Sequence, residues 1–274
     1  MFPKSERAAI IDIGSNSVRL VIYDVLGTSI LPTFNEKVMA GLGQGLMQTG
    51  RLSPTGFDSA LKALGRYRAI LRALNLRHYT AVATAAVRSA ENGPVFINLA
   101  SKALGRRVTV LSGEDEARLS AVGVEASFHA PHGLIGDLEF KQIGGKAERG
   151  ESLMLGPLSL VEGDIDLKTL RKTIRAELKT SDVLARSSGR FYAVGGAWRT
   201  IAKLNMQLEN YALQVLQGYQ LSKTQVDKVA RLCFDSLTNS TARAMLESID
   251  KRRAKHLPVA AMLLQEILAT GRLE

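Results

Sequence analysis

Two apolar runs separated by a short polar turn stand near the start of the sequence and restrict its fold most strongly. The runs cover residues 8–11 and 18–25, and residues 12–17 between them are Asp-Ile-Gly-Ser-Asn-Ser. Strand-like runs joined by a short turn are typical of a β-hairpin. The pattern therefore predicts a hairpin in this region, and the rest of the chain is interpreted around it.

The turn of this hairpin has the residue types of a phosphate site. Gly14 lets the backbone come close to a ligand, and the backbone N–H groups of Ser15, Asn16 and Ser17 can hold phosphate oxygens if they point into one hollow. A carboxylate repels phosphate, so Asp12 fits such a site only with a divalent cation between the two. An ordinary Gly-Ser-Asn hairpin turn explains the same residues equally well.

Strand-like and helix-like segments alternate after the hairpin. Ser53, followed by proline, is typical of a helix N-cap, residues 79–85 are strand-like, and residues 93–104 have the pattern of a second helix. This alternation predicts an α/β fold. A chain of 274 residues is long enough for two domains, and we predict them at residues 1–126 and 127–274.

Composition restricts the partners and the compartment. The single cysteine, Cys233, rules out an internal disulfide and fits a reducing cytoplasm, and the four histidines lack metal-ligand spacing. No apolar run approaches the length of a membrane span, so we expect no membrane partner. A net charge of +10 favours an anionic partner, but an aromatic content of 5% argues against specific nucleic-acid binding. The densest basic tract, residues 251–255, is either a solvated helix end or an anion-attracting patch.

Residues 12–20, Asp-Ile-Gly-Ser-Asn-Ser-Val-Arg-Leu, resemble the first phosphate loop of the exopolyphosphatase and guanosine pentaphosphate phosphatase family. That family belongs to the actin, sugar-kinase and chaperone-ATPase superfold. The resemblance implies two ribonuclease-H-like domains that flank a central cleft, and it adds Arg19 to the expected phosphate-binding residues.

A second similarity to the family, Thr-x-x-x-Arg-x-Ala-x-Asn, is found at residues 84–92. It implies a catalytic role for Arg88 and phosphate binding by Asn92. An arginine just past the carboxyl end of a strand is suited to clamping phosphate. Without the resemblance, an ordinary surface arginine is the simpler interpretation.

A third similarity, to the family pattern Ser-Gly-x-Glu-Glu-Ala-Arg, is found at residues 112–118, with Asp115 in place of the first glutamate. In the family the second acid, here Glu116, is the proposed general base, which takes a proton from the attacking water. The residues alone are explained by a capping box and by the preference for acids in the first turn of a helix.

The second half of the chain departs from the family at one point. A strand-like run ends at Asp137, where the family continues into a glycine-rich second phosphate loop and then a glutamate; here Glu139 follows with no glycines between. Either the chain has lost this loop, or a loop segment is missing from the sequence. We favour the second explanation because the flanking residues match without drift. Further on, Gly195 and Gly196 resemble the family's glycine loop on the far wall of the cleft.

The resemblance implies release of terminal phosphate from inorganic polyphosphate or guanosine pentaphosphate (pppGpp), dependent on Mg²⁺ or another divalent cation. The expected metal ligands are Asp12, Asp137 and Glu139. The expected phosphate-binding residues are Gly14, Ser15, Asn16, Ser17, Arg19, Asn92, Gly195 and Gly196. The expected catalytic residues are Glu116 and Arg88. The main alternative is a non-catalytic alarmone- or polyphosphate-binding regulator of the same fold. A kinase of that fold is a weaker alternative. The sequence does not decide whether the protein forms a homodimer.

Overall fold

A computed structural model describes residues 6–27, 29–136, 139–143, 150–152 and 166–273 of the chain. Its contacts divide the chain into two compact units, Met1–Ser112 and Gly113–Glu274. The division falls before the boundary drawn from the sequence, because the helix that starts at Gly113 packs on the strands of the second unit. Each unit is described by itself.

The first unit is built on a five-stranded sheet with the strand order β3-β2-β1-β4-β5. Its strands are β1 (Glu6–Ile13), β2 (Val18–Leu26), β3 (Ser29–Val38), β4 (Tyr79–Ala83) and β5 (Thr109–Val110). The predicted hairpin is confirmed, since β1 and β2 pair antiparallel, with Ile13 opposite Val18. β4 runs parallel to β1.

Helices cover one face of this sheet. They are α1 (Leu46–Thr49), α2 (Pro54–Ala73), α3 (Ala85–Ser89) and α4 (Gly93–Leu104). Ser53 is the N-cap of α2, as predicted, and its side chain accepts a hydrogen bond from the backbone N–H of Gly56. Alternate residues of β1, including the fully buried Ile11 and Ile13, form the core with the inner face of α2. The residues between them in sequence face the other side of the sheet.

The second unit has a four-stranded sheet with the strand order β8-β7-β6-β9. Its elements, in chain order, are α5 (Gly113–Ser127), β6 (Gly133–Gly136), β7 (Glu139–Ile143), β8 (Gly150–Ser152), α6 (Leu167–Leu178), α7 (Asp182–Ala185), β9 (Arg190–Ala193), α8 (Gly196–Leu208), α9 (Lys223–Asp235), α10 (Ser240–Asp250), a 3₁₀ turn (Ala254–His256) and α11 (Leu257–Thr270). β6 pairs antiparallel with β7 and parallel with β9.

The core of the second unit surrounds α11. This helix is buried on nearly every side, as its largely apolar sequence predicts, and it packs against α6, α8 and α9. Trp198 on α8 is buried in the same core. None of the helices in the described parts of the chain is long and apolar enough to cross a membrane.

Candidate functional site in the first unit

The candidate site is the loop of residues 14–17, called here the phosphate loop, which connects β1 to β2. The loop is closed by a hydrogen bond of 2.9 Å from the backbone N–H of Gly14 to the carbonyl oxygen of Ser17. A Cβ added at Gly14 would meet only that same oxygen, at 3.5 Å, which is an ordinary contact. The protein itself therefore has room for a side chain at Gly14. The absence of one leaves space for a ligand to approach the backbone.

A second loop, residues 41–43, holds the phosphate loop from behind. The backbone N–H of Gly41 donates to the carbonyl of Asn16 at 3.0 Å, and that of Gly43 donates to the carbonyl of Ser15 at 2.8 Å. This second loop is itself packed on α2, because a Cβ added at Gly56 would lie 2.7 Å from the carbonyl oxygen of Gly41. The phosphate loop is thus fixed to the core of the unit.

These bonds use carbonyl groups of the phosphate loop and the N–H group of Gly14, and they leave the N–H groups of residues 15–17 available. Across the described contacts, the backbone N–H groups of Ser15, Asn16 and Ser17 have no acceptor. Backbone N–H groups are strong donors that are normally paired or solvated. Consecutive donors of this kind are what an anion-binding loop requires.

Asp12, Arg19 and Lys37 form a row across three strands on the sheet face opposite the core. Asp12 is paired with Arg19 in the β1–β2 register, and Arg19 with Lys37 in the β2–β3 register. Directly opposed residues of an antiparallel pair have neighbouring side chains. Arg19 also donates from Nε to Oδ1 of Asn35 at 2.8 Å. The row places a carboxylate next to two cations beside the phosphate loop.

The surroundings of Asp12 work against its charged form. Although the residue is exposed to solvent in part, protein atoms packed around its carboxyl group hinder hydration and raise its pKa, while the charges of Arg19 and Lys37 lower it less strongly. The net shift is upward. A carboxylate in this state gains from a further cation.

These properties fit a Mg²⁺ ligand at Asp12. Mg²⁺ is commonly bound through one or two carboxylates together with the phosphate oxygens of a substrate, so a single acid next to the phosphate loop matches its chemistry. Within the described ranges there is no cluster of three His, Cys, Asp or Glu residues able to hold a metal. Asp137 and the side chain of Glu139 lie outside the described residues, so their predicted role as metal ligands stays a prediction.

Arg88 lies on α3, which follows β4 directly. The helix is attached to the end of β1, because the backbone N–H of Thr84 donates to the carbonyl of Ile13 at 3.1 Å. Arg88 is half-buried, and its Nη1 donates to the carbonyl oxygen of Leu111 at 2.6 Å. The sequence prediction that Arg88 lies just past the carboxyl end of a strand is confirmed.

Asn92 is engaged in holding the chain together. Its Oδ1 accepts a hydrogen bond of 2.8 Å from the backbone N–H of Leu52. Next to it, the backbone N–H of Glu91 donates to the carbonyl of Gly50 at 2.9 Å. This gives Asn92 a structural role that the sequence did not indicate, and its predicted contact with phosphate stays a prediction.

Predicted residues in the second unit

Glu116 lies in the first turn of α5, which begins at Gly113 as the sequence predicted. Its side chain is half-buried. Beside it, Asp115 contacts Arg118 on the same helix at 3.4 Å. The helix itself packs on β6, β7 and β8. Glu116 therefore lies on a helix that is packed against the sheet of this unit, and its catalytic role stays a prediction.

Gly195 and Gly196 join β9 to α8, as predicted, with Gly195 as the N-cap residue. A Cβ added at Gly196 would lie 2.7 Å from Nη2 of Arg253, so the guanidinium group rests against this glycine. Arg253 is held there by Asp250, which accepts from its Nη1. The sequence shows that the tract around Arg253 is basic, but no feature of it predicts that Arg253 lies next to Gly196.

The sequence between β6 and β7 lacks the glycine-rich loop of the family. Gly136, the last residue of β6, is paired with Phe140 of β7, and the sequence between these two residues is Asp-Leu-Glu. Residues 137 and 138 lie outside the described residues, so the prediction that a loop segment is missing from the sequence at this point stays a prediction.

Comparison with known proteins

A family model supports the resemblance drawn from the motifs at residues 84–92 and 112–118. The model of the Ppx/GppA phosphatase family matches residues 21–270. The chain belongs to this family. The match covers most of both units and begins at residue 21, after the phosphate loop.

Curated relatives of the Ppx/GppA chain include mycobacterial proteins. It is 25% identical over 281 residues to Exopolyphosphatase 1 of Mycobacterium tuberculosis, covering 94% of this chain and 80% of the relative. It is also 25% identical to Exopolyphosphatase 1 of Mycobacterium leprae, of which it covers 81%.

Solved structures agree on the fold. The crystal structure of the Aquifex aeolicus member of the Ppx/GppA protein family matches with a TM-score of 0.81 at 24% identity, covering 99% of this chain and 92% of that one. An exopolyphosphatase from Cytophaga hutchinsonii matches with a TM-score of 0.80 at 23% identity, covering 97% and 91%. The predicted two-domain, actin-like ATPase fold is confirmed.

Proposed function

We propose that this Ppx/GppA chain hydrolyses the terminal phosphoanhydride bond of inorganic polyphosphate and releases phosphate. The observation that carries the proposal is the phosphate loop, whose three N–H groups lack acceptors in the described contacts beside the carboxylate of Asp12. The exopolyphosphatase names of the curated relatives support the same substrate. Guanosine pentaphosphate is a second proposed substrate, which shares the terminal phosphoanhydride.

The residues of the first unit would bind and orient the terminal phosphate. In this proposal the N–H groups of residues 15–17 hold its oxygens, and Gly14 leaves the space for their approach. Arg19 and Arg88 contribute positive charge, which matters because phosphoryl transfer depends mainly on positioning and electrostatics. Asp12 would hold Mg²⁺. That ion, when bound, neutralises charge on the phosphate oxygens.

Glu116 is the proposed general base, on the resemblance of residues 112–118 to the family motif. It would take a proton from the water that attacks the terminal phosphorus. The bridging P–O bond then breaks, and the products are phosphate and a chain shorter by one unit. Arg253, Gly195 and Gly196 are proposed to bind phosphate groups in the second unit.

Phosphate release from long-chain polyphosphate and from guanosine pentaphosphate, each with and without Mg²⁺, tests the proposal. Glu116→Gln is expected to reduce release by roughly 100-fold or more while polyphosphate still binds. The matched control is Glu125→Gln, on an exposed turn of the same helix, which should keep the wild-type rate. Absence of release by the wild type, with polyphosphate bound, would instead indicate a non-catalytic binding protein.

A further inference from the structure

Positive charge is concentrated in the first unit. Residues 1–112 contain 14 Lys and Arg against 6 Asp and Glu, a net charge of +8 out of the +10 of the whole chain. Within residues 62–107 there are nine Lys and Arg and a single acid, Glu91. Most of these cations lie far in sequence from the phosphate loop, so the proposed site does not account for them.

Several of them are brought to one edge of the sheet, where β1 and β4 begin. We call this the basic edge. It consists of Arg7, Arg68, Arg77, His78, Arg106 and Arg107, all of them exposed except the half-buried Arg68.

Backbone contacts fix the arrangement of the basic edge. Nη1 of Arg106 donates to the carbonyl oxygens of Arg77 at 3.0 Å and Tyr79 at 2.7 Å, and the guanidinium lies 4.5 Å from the centre of the Tyr79 ring. A Cβ added at Gly105 would lie 2.8 Å from Cζ of Arg68. The loop after α4 is thereby held against the start of β4.

A hollow of about 330 Å³, open to solvent, lies within the basic edge. It is lined by Arg7, Leu74, Asn75, Leu76, Arg77 and His78. Arg7 is paired with Asp24 at 2.9 Å. In the part of the chain that the structure describes, no hydrogen bond or ion pair involves the side chains of Arg77, His78 or Arg107, so the charges of the two arginines and the N–H donors of all three residues face solvent.

The basic edge is separate from the phosphate loop. Tyr79 pairs with Ala9 at the start of the parallel β1–β4 pair, and Ala83 pairs with Ile13 at its end, next to the loop. At about 3.3 Å per residue, Arg77 lies roughly 20 Å from that end. A single phosphate group cannot touch both places, whereas a long flexible polyanion can.

We propose that the basic edge, including the hollow lined by Arg7, Arg77 and His78, is a second, non-catalytic binding site for inorganic polyphosphate. The identity of this ligand rests on the proposed function. A guanidinium group can bind two oxygens of one phosphate group at once. Several arginines close together can therefore bind successive phosphate groups of one polyphosphate chain. Nucleic acid fits less well, because Tyr79 is already stacked against Arg106 and Tyr79 is the only aromatic residue among residues 68–95, so bases lack a stacking surface.

Binding of fluorescently labelled long-chain polyphosphate to the full chain is measured by fluorescence anisotropy. The parent protein carries Glu116→Gln, which prevents hydrolysis during the measurement. Adding Arg77→Gln and Arg107→Gln is expected to weaken binding by roughly three- to tenfold and to reduce its salt dependence. The matched control, Lys172→Gln with Arg231→Gln, removes two exposed cations from the second unit and should bind as tightly as the parent.

Equal affinity of the Arg77/Arg107 variant and the parent would overturn the proposal, and so would competition by single-stranded DNA at the same phosphate concentration as polyphosphate. Phosphate release from tripolyphosphate, measured in parallel, separates the two proposals. Release that is unchanged in Arg77→Gln/Arg107→Gln with weakened long-chain binding supports a non-catalytic site. A wild type that releases no phosphate contradicts the proposed function, whatever the binding result.

Discussion

The backbone N–H of Gly43 donates to the carbonyl oxygen of Ser15 at 2.8 Å and so joins two loops that are distant in sequence. A Cβ added at Gly43 would lie 3.1 Å from Cβ of Ser15 and 3.5 Å from Cβ of Ala86 on α3. The absence of a side chain at Gly43 therefore sets how closely the phosphate loop approaches the loop behind it and the helix that carries Arg88.

Gly43→Ala is expected to displace the phosphate loop by a few tenths of an ångström and to reduce kcat/KM for phosphate release about tenfold, because turnover depends steeply on alignment. The melting temperature should change little. Gly65→Ala is the matched control: a Cβ there meets nothing within 4 Å, so the exchange should stabilise α2 by roughly 0.5–1 kcal/mol and leave kcat/KM unchanged. Equal kcat/KM for both variants would show that loop spacing has no catalytic role.

Gly14→Ala separates the needs of the ligand from those of the fold. A methyl group at Gly14 meets only the carbonyl oxygen of Ser17, at 3.5 Å, so the protein should fold with a near-normal melting temperature. If the terminal phosphate approaches the backbone at this residue, the methyl group blocks it, and phosphate release should be lost together with polyphosphate-dependent thermal stabilisation. Retention of both would place the ligand elsewhere on the loop.

The parts of the fold that depend on local sequence were predictable. The hairpin follows from two apolar runs around a turn, α2 begins at a serine cap followed by proline, and α4 has the bounds predicted from the helical pattern of residues 93–104. β4 was predictable for the same reason, although it ends at Ala83, two residues before the predicted end, because α3 begins at Ala85. Each of these features is determined by residues close to one another in the chain.

Relationships that depend on pairing between distant segments could not be predicted. Lys37 reaches Asp12 only through the registers of β1 with β2 and of β2 with β3, and the alternation of β3 alone does not fix that register. Arg253 is 57 residues from Gly196 in sequence, and their contact depends on how the helices of the second unit pack. The structural bond of Asn92 to Leu52 is of the same kind.

Glu266 on α11 is buried and paired with Arg171 and Arg175 on α6. Removing the acid and removing the two arginines should therefore lower the free energy of unfolding by different amounts. Arg171→Met with Arg175→Met leaves a buried carboxylate without a partner and is expected to lower the free energy of unfolding by about 3 kcal/mol. Glu266→Gln leaves two cations that solvent reaches in part, and should cost about 1 kcal/mol. Urea unfolding followed by circular dichroism measures both. A larger loss for Glu266→Gln than for the double variant would contradict this order.

Asp12→Asn tests the pH dependence of stability and the metal proposal together. Because burial raises the pKa of Asp12 above its ordinary value, the folded state binds the proton more tightly than the unfolded state. The stability contributed by Asp12 is therefore full below the ordinary pKa and is lost as the pH rises through the raised one. At neutral pH Asp12→Asn should melt at a higher temperature than the wild type, and the difference should shrink as the pH falls through the acidic range. Asp58→Asn, which removes one acid at an exposed position of α2, is the control variant for the metal test. With tripolyphosphate present, Mg²⁺ should raise the melting temperature of the wild type and of Asp58→Asn but not of Asp12→Asn; an equal rise in all three would remove Asp12 as the metal ligand.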